Sequence, residues 1–159
     1  MKREEEIGRE LTEKGLTVAV AESCTGGLIA NRITDVPGAS AYFVAGFVTY
    51  SNRMKEKILA VPPGIIDEKG AVSEETARRM AEGARTVAAT NVGLAVTGIA
   101  GPSGGTKEKS VGLVYMGLAT EKGTWARRFH FSGDRAAIKG QTSEEALAFI
   151  LDYLEGRIE

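Results

Sequence analysis

The chain has 159 residues, 43% of them hydrophobic and 26% charged, and its formal net charge is −1. This length fits a single domain over residues 1–159, and the balanced charge lacks the basic surface with which proteins bind nucleic acid. The charged N-terminus carries no signal-peptide apolar region, and no apolar run is long enough to span a membrane. With one cysteine, Cys24, and hence no internal disulfide, the sequence predicts a cytoplasmic protein without nucleic-acid or membrane partners.

Apolar spacing predicts helices and strands that alternate through the first half of the chain. We expect helices over about 2–14, 28–33 and 52–59 and from residue 73 onward, with strands over 16–21, 42–50 and 92–97. Gly15 is placed to end the first helix, and Pro62-Pro63-Gly64 to end the third. This alternation predicts an α/β fold with parallel strands covered by helices.

The second half of the chain predicts a long loop, a hairpin and a closing helix. The loop runs from residue 98 to 110, and strands over 111–120 and 124–131 are joined by a tight turn. The final helix begins near Asp134 and continues almost to the end of the chain. The antiparallel hairpin makes the predicted sheet mixed.

The segment Glu22-Ser23-Cys24-Thr25-Gly26-Gly27 lies at a predicted strand-to-helix turn. A hydroxyl there can act as a nucleophile, while amides at the start of the helix stabilise an anion. The alternative is that Ser23 or Thr25 only caps the helix. The segment is not a glycine-x-serine-x-glycine elbow, because Ala21 stands two residues before Ser23.

Lys55 lies near the start of the next predicted helix, where the helix dipole lowers the pKa of an amine. A lysine with a lowered pKa can serve as a general base. The alternative is an ordinary surface lysine among charged neighbours.

Two further segments point to a ligand. The glycine-rich loop that begins at Thr97 leaves the end of a predicted strand, where ligands collect in α/β sheets, although it can also be a plain surface loop. Arg135, at the start of the last helix, can supply a fixed cation for a phosphate or carboxylate, or can be an exposed helix-start residue.

Few residues of this chain could serve as a catalytic base or as metal ligands. His130 is the only histidine, so a Ser-His-Asp triad would need it as the base. It lies on a predicted strand, on the face opposite two phenylalanines, which is typical of an ordinary strand residue. One histidine and one cysteine do not supply the ligands of an ordinary zinc site, and no spaced carboxylate cluster predicts magnesium. If Ser23 is a nucleophile, its base is a lysine or a carboxylate.

Together the motifs resemble the CinA C-terminal family, the nicotinamide-nucleotide amidases also called PncC. The similarity covers nearly the whole chain in order. It lies in Ala21–Gly27, Gly46–Asn52 with Lys55, Gly70–Ser73, Thr97–Pro102 and Gly133–Arg135.

The resemblance implies a three-layer α/β/α sandwich around a mixed, mostly parallel five-stranded sheet. It also implies hydrolysis of nicotinamide mononucleotide to nicotinic acid mononucleotide and ammonia, with no metal or other cofactor. By matched position, Ser23 is the nucleophile, Lys55 its base, and Tyr50 and Thr97 further catalytic residues. The substrate-binding residues implied are Cys24, Thr25, Gly26, Gly98, Ala100, Gly101 and Arg135.

The sequence departs from the family pattern in the glycine-rich loop. Ser103 stands where relatives usually have aspartate, and Lys107 and Ser110 where they have proline. The early first motif predicts the stand-alone form of the domain, and we expect a homo-oligomer. A non-catalytic nucleotide-binding or competence-associated regulatory module, and an amidase for another amide, remain as alternatives.

Overall fold

The computed structural model describes residues 1–158 and contains six α-helices and five strands in that range. In chain order they are α1 (Arg3–Lys14), β1 (Val18–Glu22), α2 (Leu28–Thr34), β2 (Phe43–Val48), α3 (Asn52–Leu59), α4 (Pro63–Lys69), α5 (Glu74–Ala88), β3 (Val92–Gly98), β4 (Leu113–Thr120), β5 (Gly123–His130) and α6 (Arg135–Leu154). A short 3-10 turn, Ala39–Ala41, precedes β2.

The strands form one mixed sheet in the order β2-β1-β3-β4-β5. β1 pairs in parallel with both β2 and β3, whereas β4 runs antiparallel to β3 and to β5. Four strands therefore point the same way and only β4 is reversed. The carboxyl ends of β1, β2, β3 and β5 all reach the same edge of the sheet.

Helices cover both faces of the sheet, which confirms the three-layer α/β/α sandwich. On one face α1, α2 and α6 bury a large apolar core against β1, β3 and β4. On the other face α3, α4 and α5 bury a smaller core that contains Leu59, Ile66 and Met80. None of the helices within residues 1–158 has the length and hydropathy to cross a membrane.

Helix α5 packs close to the sheet, because the strands below it carry glycines. A β-carbon at Gly93 would lie 2.4 Å from the carbonyl oxygen of Ala81, and one at Gly117 would lie 2.4 Å from that of Ala77. Real β-carbons do not approach carbonyl oxygens this closely, so these two glycines set the spacing between the layers.

Local sequence signals explain most element boundaries. Gly15 ends α1 in the left-handed conformation, and Ser51 and Asp134 cap α3 and α6 by accepting backbone hydrogen bonds. The helix over 52–59 ends before Pro62-Pro63-Gly64 as expected, but the sequence analysis did not predict α4, which Pro63 begins. Proline suits the first turn of a helix, where its missing N–H has no intrahelical partner.

Candidate active site

The turn between β1 and α2 is organised by the buried carboxylate of Glu22, which is 1% exposed. This carboxylate accepts hydrogen bonds from Thr25 Oγ1 (2.5 Å) and from the amides of Gly27 (3.2 Å), Ile29 (3.0 Å) and Ala30 (2.9 Å). It thereby satisfies the first amides of α2, a task that a capping hydroxyl usually performs. Neither Ser23 nor Thr25 is the cap, since the N-cap residue is Gly27.

With the cap supplied by Glu22, the Ser23 hydroxyl is turned toward Lys55. Lys55 is 1% exposed, and its Nζ lies 2.9 Å from Ser23 Oγ. The same Nζ donates to the carbonyl oxygens of Thr49 and Tyr50, each at 2.9 Å. Parallel pairing of β1 and β2 places these two strand-to-helix turns side by side.

Burial lowers the pKa of the Lys55 amine to about 8, because a charged ammonium loses its hydration inside the protein. A neutral amine has two N–H groups and one lone pair. When the two carbonyl oxygens take the N–H groups, the lone pair is left to accept the Ser23 proton. The geometry and the lowered pKa both suit Lys55 to general-base chemistry.

Cys24 is adjacent to Ser23 and also nearly buried, but its chemistry differs. Burial raises the pKa of the Cys24 thiol to about 11. A thiol with such a pKa is protonated near neutral pH, and the protonated form is a poor nucleophile. Of these two neighbours, Ser23 is the one in contact with the Lys55 amine.

The amides of the turn are mostly committed within the turn itself. Gly26 N donates to the carbonyl of Ser23 at 3.2 Å, and the next amides serve Glu22 or Thr25. The expectation that the first amides of α2 point outward to an anion was therefore wrong. Within residues 1–158, no carbonyl or carboxylate accepts from the amides of Cys24 and Thr25, and of these two residues Cys24 lines the cleft beside Ser23.

A cleft of about 310 Å³ opens beside Ser23 and Lys55 at the carboxyl edge of the sheet. Its other walls come from the ends of β2 and β3, the glycine-rich loop and the start of α6. The lining residues are Ser23, Cys24, Tyr50, Asn52, Lys55, Ala71, Val72, Thr97, Gly98, Ile99, Ala100, Gly101, Ser103, Gly104 and Arg135.

Arg135 closes one side of this cleft by joining two of its walls. Its Nη1 donates to the carbonyl of Gly101 at 2.7 Å, and its Nη2 donates to the hydroxyl of Tyr50 at 3.3 Å. Thr97 is different, because its buried hydroxyl donates to the carbonyl of Ala71 at 2.9 Å. Thr97 thus fixes the segment before α5 against the end of β3.

Nine of the eleven site residues expected from the sequence line the cleft, and Thr25 and Gly26 do not. Thr25 is 1% exposed and its hydroxyl is held by Glu22. The residue that sequence reasoning missed is Glu22; its signal is a carboxylate at the end of a fully buried strand. Of the loop departures, Ser103 lines the cleft, Lys107 is exposed, and Ser110 Oγ lies 2.7 Å from His130 Nε2.

Known proteins with similar sequences match nearly the whole of this chain. A CinA-like protein of Geobacter sulfurreducens is 54% identical over 152 residues, which are 96% of this chain and 36% of the relative. A CinA-like protein of Geotalea uraniireducens is 56% identical over 146 residues, 92% of this chain and 34% of the relative. The chain thus spans about a third of the length of the curated relatives it matches.

Solved structures match over nearly their whole length. The competence/damage inducible protein CihA from Agrobacterium tumefaciens has a TM-score of 0.91 at 40% identity, covering 98% of this chain and 97% of that one. A CinA superfamily protein from Klebsiella pneumoniae has a TM-score of 0.93 at 29% identity, covering 98% and 99%. The model of the CinA C-terminal domain matches residues 1–154, and the chain therefore belongs to the CinA C-terminal domain family.

Proposed function

We propose that this chain is an amidohydrolase that converts nicotinamide mononucleotide to nicotinic acid mononucleotide and ammonia through Ser23 and Lys55. The observation that carries the proposal is the 2.9 Å contact between Lys55 Nζ and Ser23 Oγ at the wall of a cleft. A serine and a buried amine in contact form the pair that an acyl-transfer hydrolase without histidine requires.

In the proposed reaction, neutral Lys55 takes the proton of Ser23 Oγ as that oxygen attacks the carboxamide carbon. The amide of Cys24, which lines the cleft, holds the oxyanion that develops on the former carbonyl oxygen. Lys55 then gives its proton to the departing nitrogen, which leaves as ammonia. A water molecule, deprotonated by the same amine, hydrolyses the acyl-enzyme and restores Ser23.

The remaining walls of the cleft hold the substrate around this centre. The cleft volume of about 310 Å³ is at the lower end of the range for small-molecule sites. Tyr50 and Arg135 form a polar wall, and the loop Gly98–Gly101 brings backbone close to the ligand. In this proposal the nucleotide phosphate lies at the α6 end of the cleft, where Arg135 supplies the positive charge.

The decisive experiment measures ammonia release from nicotinamide mononucleotide by the wild type and by Ser23→Ala. We expect turnover only in the wild type, while titration calorimetry finds that Ser23→Ala still binds the mononucleotide. Wild-type turnover in Ser23→Ala would remove the nucleophile from the proposal. Binding without ammonia release by the folded wild type would favour a non-catalytic nucleotide-binding module. Turnover of another amide in place of the mononucleotide would mean that the chain is an amidase with a different substrate.

A further inference from the structure

Lys139 is a cation that the proposed reaction leaves unused. It lies on α6, one helical turn after Arg135, and it is partly buried. Other partly buried cations have partners within the protein: Arg32 pairs with Glu4 and Arg127 with Asp152, while Arg85 and Lys109 donate to backbone carbonyls. Within residues 1–158, no carboxylate forms an ion pair with Lys139 or with Arg135.

The position of Lys139 relates it to the nucleophile turn. Its Nζ lies 3.8 Å from the point that a β-carbon of residue 26 would occupy. Gly26 has a φ of +60°, a backbone conformation that favours glycine, so no side chain covers this side of the turn. The ammonium of Lys139 therefore has open space next to the segment that carries Ser23.

Helical spacing brings the two cations of α6 together. Side chains four residues apart lie on the same helix face, so Arg135 and Lys139 project from neighbouring positions. Arg135 lines the cleft, and Lys139 extends the same face toward Gly26. Lys139 stands just outside the residues that line the cleft, so an anion held by Arg135 would have to extend toward Gly26 to meet its ammonium.

Nearby carboxylates do not neutralise this pair. Asp134 is the cap of α6 and accepts from the amide of Ala137 at 2.8 Å. Glu22 is surrounded by three amides and the Thr25 hydroxyl. Both carboxylates already accept hydrogen bonds within their own turns, so the positive charge of the two cations is left for a ligand.

We propose that Lys139 and Arg135 together form a subsite for the terminal phosphate of the substrate, and that Lys139 makes the site prefer nucleotides over nucleosides. This inference rests on the proposed function for the identity of the substrate. A phosphate carries close to two negative charges and three acceptor oxygens, so it can contact a guanidinium and an ammonium at once.

The first test measures binding without any reaction. Ribose 5-phosphate and ribose are titrated calorimetrically into the wild type, Lys139→Gln, Lys139→Arg and a control, Lys57→Gln, whose lysine is exposed on α3. We expect Lys139→Gln to weaken ribose 5-phosphate binding about tenfold or more, since one charge-assisted hydrogen bond is lost. Lys139→Arg and Lys57→Gln should bind as the wild type does, and binding of ribose should not change.

Unchanged ribose 5-phosphate affinity in Lys139→Gln would overturn the subsite. So would an equal loss for ribose, because the effect would then not involve the phosphate. The second test compares kcat/KM for nicotinamide mononucleotide and for nicotinamide riboside, with a selective loss for the mononucleotide expected in Lys139→Gln. If the wild type hydrolyses neither compound, the proposed function fails, and the titration still decides whether the phosphate subsite exists.

Discussion

Glu22 and Lys55 are both only 1% exposed, and both form hydrogen bonds with backbone groups at the end of a parallel strand. They differ in where their remaining partners lie. All the partners of the Glu22 carboxylate lie in its own turn and the start of α2. The Lys55 amine donates to two carbonyls of its own turn and meets Ser23 from the neighbouring turn.

Burial of a charged group does not by itself indicate catalysis. Glu22 does not line the cleft, and its hydrogen bonds fix where Ser23 stands. Lys55 lines the cleft and directs a third contact at a hydroxyl. In the proposed reaction Glu22 is a positioning residue and Lys55 the catalytic one, and variants of each should separate these roles.

The largest effect is expected for Lys55→Met, which keeps most of the side-chain volume and removes the base. We expect kcat for ammonia release to fall by about 10³-fold or more, within the range for a lost general base. The matched control is Lys57→Met, an exposed lysine two residues along the same helix, which should retain wild-type kcat. Equal activity of both variants would mean that the base lies elsewhere.

Glu22→Gln should act first on stability. The new amide group cannot accept hydrogen bonds on its NH2 side, so at least one amide of α2 loses its acceptor in a buried place. We expect the free energy of unfolding to fall by about 3 kcal/mol, measured by urea denaturation. Thr25→Val, which removes one donor and leaves the carboxylate, should cost about 1 kcal/mol.

If Glu22 only positions Ser23, the folded Glu22→Gln variant should lose kcat while the midpoint of its pH profile stays that of the wild type. A shifted midpoint in Glu22→Gln would instead make this carboxylate part of the titrating machinery.

The pH dependence of kcat/KM should report the amine of Lys55. Burial lowers its pKa to about 8, and only the neutral amine can accept the Ser23 proton. We expect kcat/KM to rise about tenfold per pH unit below about pH 8 and to level off above it. Initial rates between about pH 6 and 9 test this, and a flat profile would contradict a lysine base.

The same burial predicts a smaller effect of pH on stability. Below about pH 8 Lys55 is charged in the folded and unfolded states, so folding bears the full cost of burying the charge. As the pH rises from about 8 toward the ordinary lysine pKa of about 10.4, only the folded state loses the proton, and the wild type gains stability.

This stability effect can be measured against Lys55→Met, which has no amine to titrate. Between about pH 7 and 9.5, the free energy of unfolding of the wild type should rise by about 2 kcal/mol relative to Lys55→Met. Lys57→Met should follow the wild type at both pH values, because its lysine is exposed. A difference that does not change with pH would place the pKa of Lys55 outside this window.

Much of the fold was predictable because its signals are local. Ser51 and Gly15 mark helix ends through hydrogen bonds and backbone conformation, and the helix over 52–59 was confirmed to the residue. Helix α4 was missed because proline can either end a helix or begin one, and the preceding residues do not decide between these. The hairpin of β4 and β5 was confirmed, with β4 two residues shorter at its start and β5 displaced by one residue.

The candidate site was less accessible from the sequence. Ser23 and Lys55 could be named from their turns and from a family resemblance, but their contact depends on how β1 and β2 pair. Glu22 was overlooked because its partners lie three to eight residues away and become neighbours only when α2 turns back over the end of β1. Such a bond has no fixed spacing that a sequence pattern could reveal.

The reversed strand β4 has a practical consequence for handling the protein. Because β4 runs against its neighbours, the turn at Glu121 and Lys122 lies at the edge of the sheet opposite the cleft. Both residues are exposed, and the hairpin returns the chain to the site edge through β5. A peptide tag or fluorescent label inserted at this turn would therefore report on the protein from the face farthest from Ser23 and Lys55.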